Sequence, residues 1–207
     1  MTPDAERKPI HRRTIVMEAF EEGDEIRVEC RLTDERPHMT INDGTLHDVA
    51  LTVTVQSATN LITSARAAMS SFPHAECRSI EDHFSQLEGV SVGRGYLRAV
   101  QERFAGPNGC SHLDQLARDL GPMVMQAMTA HKFHDNERAG VSMADKWSPK
   151  WLRNTCHIWA DEGPGIAKAR IGWRPGLLGS EFPNPPVEEI KRRIASGELK
   201  PAEPLDI

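Results

Sequence analysis

The chain has 207 residues, of which 39% are hydrophobic and 27% are charged. Its formal net charge of −5 argues against nucleic acid as the main partner, because phosphate binding needs a concentrated basic surface. No apolar stretch approaches the roughly 18 residues needed to span a bilayer, and residues 1–9 lack the apolar segment of a secretory signal. We therefore expect a cytoplasmic globular protein that does not bind membranes and whose four cysteines are reduced.

The first third of the chain has the alternating pattern of half-buried strands. Residues 13–20 and 26–32 are separated by a turn signal at 21–24 and predict an antiparallel hairpin. Residues 47–57 form the clearest strand, and a short turn leads from it to a partner at residues 61–69. Together these segments predict an antiparallel meander of about four strands.

The pattern then changes to helical spacing. Apolar stripes at residues 80–87, 97–104 and 113–131 predict helices, and Gly121-Pro122 is expected to kink or break the third. Residues 161–186 are rich in glycine and proline, and a last helix is signalled between Pro186 and Gly197. Strands followed by helices predict an α+β domain over residues 10–160, with helices packed on the sheet. Residues 161–207 are predicted to form a C-terminal arm and a terminal helix that packs on this domain.

Several residues at predicted strand ends are candidates for acid–base chemistry. His11 and Arg13 lie two positions apart and therefore on one face of the first strand. His47 and Asp48 begin the third strand and point to opposite faces. Arg31 and Asp34 at the end of the second strand could line the same sheet surface and bind substrate. For all of these, solvated strand ends are the alternative.

Tyr96 is the only tyrosine and thus the only phenol available as a proton donor, although a packing role is the alternative. The stretch Cys110-Ser111-His112 has three interpretations. It could begin a helix, with Ser111 as the cap, or provide a nucleophilic thiol at a helix N-terminus. It could also bind a metal together with Cys156 and His157. We favour the helix start, because no CxxC pair or other close ligand pair accompanies it.

The chain as a whole resembles the bacterial DUF2889 family, a group of proteins of unknown function. The resemblance is carried by ordered stretches between residues 10 and about 160: "IHRRTI", "LTD", "GTLHDVALTV", "ARAAMSSFPHAEC", "LEGVSVGRGYLRAV", "GCSHLDQL" and "NTCHIWADEG". None of them is a well-known catalytic motif, so their order and spacing carry the resemblance. The proline-rich segment after Trp173 lies outside it.

The resemblance implies a role in bacterial catabolism of aromatic compounds. One branch of similar proteins looks like lyases that release formaldehyde from lignin-derived phenylcoumaran dimers and leave a stilbene. That reaction needs no cofactor and no metal. It needs a base, for which His47 or His11 is available, and an oxyanion partner among Arg13, Arg31 and Tyr96. Asp34 or Asp48 is expected to orient a histidine, and His112 to line the pocket.

Two other functions stay open at this stage. The first is a metal-dependent enzyme of aromatic catabolism that uses Cys110, His112, Cys156 and His157. The second is a small-molecule binding protein without catalytic activity. In each case the partner is a small aromatic compound, and a homodimer is a reasonable expectation because an antiparallel sheet leaves an open edge.

Overall fold

The structure is a computed structural model that describes residues 8–141, 148–174 and 183–205. The chain divides into two compact units, residues 1–131 and 132–207, and we describe each by itself. The division lies within a long helix, ahead of the predicted boundary at residue 160. The predicted irregular arm lies partly outside the described residues, at 175–182.

The first unit begins with a four-stranded antiparallel sheet. Its strands are β1 (Arg12–Glu22), β2 (Glu25–Glu35), β3 (Thr45–Gln56) and β4 (Ile62–Ser71). They lie in the order β1-β2-β3-β4, so each strand pairs with the next one along the chain. This arrangement is the predicted meander, and β1 and β4 form its two edges.

One face of the sheet builds the core. In β2 the residues Val28 and Leu32 are fully buried, whereas Arg31, whose side chain points to the other face, is exposed. In β3, Leu51 and Val53 are buried in the same way, and the residue between them is half-buried. Successive side chains of a strand point to opposite faces, so every second residue contributes to the apolar face of the sheet.

Helical segments cover the apolar face, which confirms the α+β class. A 3-10 helix occupies Ala75–Leu87, followed by α1 (Tyr96–Phe104) and α2 (Ser111–Arg138). The apolar stripe predicted at residues 80–87 therefore forms a 3-10 helix rather than an α-helix. Phe84 stacks on Phe104 with ring centroids 4.4 Å apart, which joins the first two of these helical segments.

Of the two outcomes predicted at Gly121-Pro122, a kink or a break, the break is wrong, because α2 continues through Pro122. Proline lacks the N–H that would bond to the carbonyl four residues earlier, so one hydrogen bond is lost. The apolar face on both sides compensates, since Leu116, Leu120 and Val124 are fully buried in the core. Packing therefore outweighs the local preference of one residue.

The second unit contains short helices. Two 3-10 turns lie at Pro149–Trp151 and His157–Trp159, followed by α3 (Pro164–Arg170) and α4 (Val187–Ala195). Ile190 of α4 is buried with Trp173 and Leu199 in a small apolar cluster. The last helix thus ends close to Gly197, as predicted. Among the described residues, no helix combines the length and the apolar character needed to cross a membrane.

Candidate functional site

Strand register places three of the predicted residues side by side. Arg13 of β1 pairs with Asp34 of β2, and Asp34 pairs with His47 of β3. Directly opposed residues of an antiparallel sheet have side chains on the same face, about 5 Å apart. The sheet itself therefore forms a row of a guanidinium, a carboxylate and an imidazole, at the end of the sheet where β2 stops.

Asp34 is the centre of this row. Its side chain is 2% exposed. Arg13 donates from Nε to Oδ1 and from Nη2 to Oδ2, and both donor–acceptor distances are 2.7 Å. These two charge-assisted hydrogen bonds hold the pKa of the Asp34 carboxyl well below its usual range, although burial opposes them. Asp34 is therefore ionised in spite of its burial.

Three imidazoles surround the same carboxylate. His11 places Nε2 3.2 Å from Oδ1, and His47 places Nδ1 3.2 Å from Oδ2. His112 comes from α2, and its Nε2 also lies 3.2 Å from Oδ2. The rings of His47 and His112 are neighbours, with centroids 3.9 Å apart. We call Arg13, Asp34, His47 and His112, together with the more exposed His11, the Asp34 cluster.

The start of α2 positions His112. Gly109 precedes the helix, and a Cβ atom there would lie 2.1 Å from the carbonyl oxygen of Phe104, so only glycine allows this close approach. The helix begins at Ser111, and Asp114 donates its backbone N–H to the carbonyl of Cys110. Cys110 thus occupies the position before the helix that was predicted for Ser111.

Two contacts tie this helix start to the sheet and to the cluster. Arg13 donates from Nη1 to Oε1 of Gln115, 2.8 Å away, one turn after His112. The Sγ atom of Cys110 lies 3.7 Å from Nδ1 of His112, so both ring nitrogens of His112 have a neighbour. Burial, and after it the adjacent His47, lower the pKa of His112, although Asp34 opposes this shift. His112 is therefore a neutral imidazole at neutral pH.

A cavity of about 350 Å³ opens beside the two neighbouring imidazoles. His47 and His112 form part of its wall, with Cys77 and Cys110 next to them. The rest of the lining has an apolar part, made of Val49, Met69, Phe72, Pro73 and Ile80, and also includes His74, Glu76, Gly109 and Ser111. This combination of an apolar wall and a few convergent polar groups is typical of small-molecule sites.

Arg31 and Asp48 lie on the other face of the sheet. Arg31 donates to both carboxylate oxygens of Asp48, at donor–acceptor distances of 2.7 and 2.6 Å. The expectation that Arg31 and Asp34 line one surface is wrong, because the two residues lie three positions apart in one strand and their side chains therefore point to opposite faces. Asp48 accordingly contacts Arg31 and does not orient His47, which is oriented by Asp34.

Tyr96 is also away from the cavity. It is 3% exposed, and its hydroxyl donates to the backbone carbonyl of Ala117 over 2.7 Å. Burial raises the pKa of this phenol well above its usual range. Its ring packs so close to α2 that a Cβ atom on Gly121 would come within 2.9 Å of it. This placement corresponds to the packing role, the alternative that the sequence left open.

The ligand atoms that could hold a metal ion differ from those expected from the sequence. Among the described residues, Asp34, His47 and His112 bring three ligand atoms within 4.8 Å of one another. His112 is common to both sets, whereas Cys156 is exposed and belongs to the second unit. The sequence did not predict the strand residues of this set as partners of His112, nor Gln115 as a partner of Arg13. Gln115 lies three positions after His112, a helical spacing that was available in the sequence.

Comparison with known proteins gives one match. No curated protein and no solved structure matches this chain. The family described as "Protein of unknown function (DUF2889)" matches residues 11–126, which are more than half of the chain and include every member of the Asp34 cluster. The chain therefore belongs to the DUF2889 family.

Proposed function

We propose that this protein is a cofactor-independent lyase that releases formaldehyde from a phenolic, phenylcoumaran-type aromatic dimer and leaves a stilbene. The observation that carries the proposal is the pair of imidazoles, His47 and His112, which face an apolar cavity and share one carboxylate. The substrate class comes from the resemblance to lyases of aromatic catabolism. The cavity volume of about 350 Å³ is within the range of about 300–1,000 Å³ usual for ligand sites.

The first half of the reaction opens the five-membered ether ring. One imidazole takes the proton of the free phenol. The electron pair of the resulting phenolate moves through its aromatic ring towards the benzylic carbon. The benzylic C–O bond breaks with its electrons on oxygen, which gives a quinone methide and the phenoxide of the second ring. The phenoxide then takes a proton from an imidazolium, so that no net charge remains.

The second half cleaves a carbon–carbon bond. The other imidazole takes the proton of the γ-hydroxyl group, and the bond between the β and γ carbons breaks as formaldehyde forms. The electron pair of the broken carbon–carbon bond forms the new double bond of the stilbene. The electrons of the quinone methide return to the ring and restore the aromatic phenolate, which is finally protonated. The substrate loses only CH2O, so no oxidant, reductant or cofactor is consumed. Two proton acceptors side by side match the two protons that must be removed.

Asp34 and Arg13 act as positioning residues in this proposal. Neither belongs to the lining of the cavity, whereas His47 and His112 do. An ionised Asp34 holds each imidazole by one nitrogen and stabilises the imidazolium that forms after proton transfer. Arg13 in turn keeps the carboxylate ionised and fixes its plane through two hydrogen bonds.

The test is a formaldehyde-release assay with a phenylcoumaran dimer that carries a free phenol, followed in parallel by stilbene absorbance. We expect equal amounts of both products. The same dimer with its phenol methylated is the matched control and should be inert, because the first proton is missing. His47→Ala and His112→Ala are each expected to lower the rate at least 100-fold. Absence of both products across a panel of phenolic dimers would overturn the proposal.

We also propose that two copies of the chain associate through β1, the open edge of the sheet. Antiparallel pairing of two β1 strands about their centre places Arg12 of one copy opposite Glu22 of the other, so their charges are complementary. Val16 and Phe20 on this strand are 49% and 45% exposed. Light scattering should give twice the monomer mass of 23.1 kDa, and Val16→Lys should return the monomer. A monomer mass for the unchanged protein would contradict this.

A further inference from the structure

One oxygen of Asp34 has more neighbours than it can bind by separate hydrogen bonds. Arg13 Nη2 lies 2.7 Å from Oδ2, and His47 Nδ1 and His112 Nε2 each lie 3.2 Å from the same atom. A carboxylate oxygen offers about two lone-pair directions. Arg13 occupies one of them at short distance, so a single direction is left for two imidazole nitrogens. The two nitrogens therefore share one side of Oδ2, and each does not have a lone pair of its own.

The spacing of these three atoms corresponds to a metal coordination shell. Zinc binds imidazole nitrogen and carboxylate oxygen at about 2.0–2.1 Å in tetrahedral sites, which places neighbouring ligand atoms about 3.3 Å apart. The two measured separations from Oδ2 are both 3.2 Å. All three atoms lie within 4.8 Å of one another. Two of the three separations are therefore those of neighbouring corners of a tetrahedron, and the third is no longer than 4.8 Å.

Neighbouring groups fix the orientation of these ligands. Arg13 holds both oxygens of Asp34 by hydrogen bonds, which leaves the second lone-pair direction of Oδ2 for an ion. Cys110 Sγ lies next to Nδ1 of His112, the nitrogen that does not face Asp34. Outer partners of this kind orient ligating side chains and are part of most metal sites. His47 and His112 also line the cavity, so an ion held by these rings would lie beside a space that admits a small molecule.

We propose that Asp34 Oδ2, His47 Nδ1 and His112 Nε2 form a binding site for one divalent transition-metal ion, for which zinc fits best. Two imidazoles and a carboxylate suit zinc and its neighbours in the first transition row better than calcium or magnesium. The ion takes the nitrogens by which Asp34 holds the two imidazoles, so the remaining nitrogen of each neutral ring carries the proton and cannot act as a base; the ion therefore inhibits the reaction. The binding follows from the geometry alone, and only the inhibition rests on the proposed function.

Binding is tested without any activity measurement. The full chain is stripped with a chelator, and zinc is titrated in a calorimeter while cobalt is titrated by absorbance. We expect one equivalent, with at least 100-fold weaker binding in His47→Ala and in His112→Ala. His74→Ala is the matched control, because His74 lines the same cavity outside the cluster and should leave the affinity unchanged. Thermal melting of each metal-free variant verifies that it is folded.

The outcomes separate the two proposals. Absence of binding, or binding that persists in both imidazole variants and thus reflects an adventitious ion only, would overturn the metal site. One equivalent lost in both variants supports it, even if no dimer is cleaved with or without metal, in which case the lyase alone fails. Formaldehyde release that zinc abolishes and a chelator restores supports the inhibition. Release that requires zinc would overturn the inhibition.

Discussion

Replacement of Arg13 by methionine should measure how strongly the Asp34 cluster stabilises the fold. The substitution keeps the length of the side chain and removes the two hydrogen bonds to Asp34, together with the exposed one to Gln115. Removal of one partner from a buried ion pair costs about 3–5 kcal/mol, because the remaining charge stays buried without its counterion. The Asp34 side chain is 2% exposed, but that of Arg13 is 39% exposed. Solvent screening at Arg13 lowers the expected loss to about 1–3 kcal/mol.

The measurement is the free energy of unfolding in urea, followed by circular dichroism. Arg12→Met is the matched control, since Arg12 is the preceding residue and contacts Glu35 in an exposed pair. We expect it to cost less than about 0.5 kcal/mol. In the double variant Arg13→Met with Asp34→Leu, part of the loss should be recovered, because no charge remains buried. If Arg13→Met costs no more than Arg12→Met, or if the double variant shows no recovery, Asp34 is not destabilised by the loss of its counterion.

Three further predictions concern the surroundings of the site. Tyr96→Phe should cost about 0.5–1.5 kcal/mol of unfolding free energy, because the hydrogen bond to Ala117 is lost. Formaldehyde release should be unchanged, and a large loss of rate would instead indicate that the Tyr96 hydroxyl donates a proton in the reaction. Gly109→Ala should cost about 1–3 kcal/mol because of the contact with Phe104, whereas Gly93→Ala, with no atom closer than 3.9 Å, should be nearly neutral in the same urea titration. Burial raises the pKa of Cys30 from 9.0 to about 12, so the unfolded chain loses this proton first and stability falls as pH rises above 9. Between pH 7 and 10 the unchanged protein should lose about 1.4 kcal/mol more than Cys30→Ala, and equal losses would contradict this.

The strands were predictable because each central strand has one buried face. Part of the site was also predictable, because it depends only on a short turn and on strand alternation. The turn after β1 contains only Gly23 and Asp24, so a two-residue hairpin fixes the register and places Arg13 opposite Asp34. Strand alternation alone would also have separated Arg31 from Asp34. These two relations need only local geometry, and the sequence contains both of them.

The rest of the site depends on long-range packing. Residues 36–44 connect β2 to β3, and a loop of this length leaves the register open, so the pairing of Asp34 with His47 could not be derived. A register shift next to Glu35 adds a further irregularity. His112 arrives from α2, whose position over the sheet is set by the apolar core. Periodicity predicts such a helix but does not predict which residue of the sheet its first turn meets.

Asp34 connects the fold and the proposed chemistry, and this connection decides which variants are informative. Its carboxylate joins β1, β3 and α2, so its replacement perturbs the packing of three elements together with the imidazoles. A loss of activity in an Asp34 variant therefore has two explanations. His47 and His112 each contact the carboxylate by one nitrogen and line the cavity, and their side chains are 16% exposed. Because either ring can be removed while Arg13 still neutralises Asp34, single imidazole variants separate a defect in chemistry from a defect in folding.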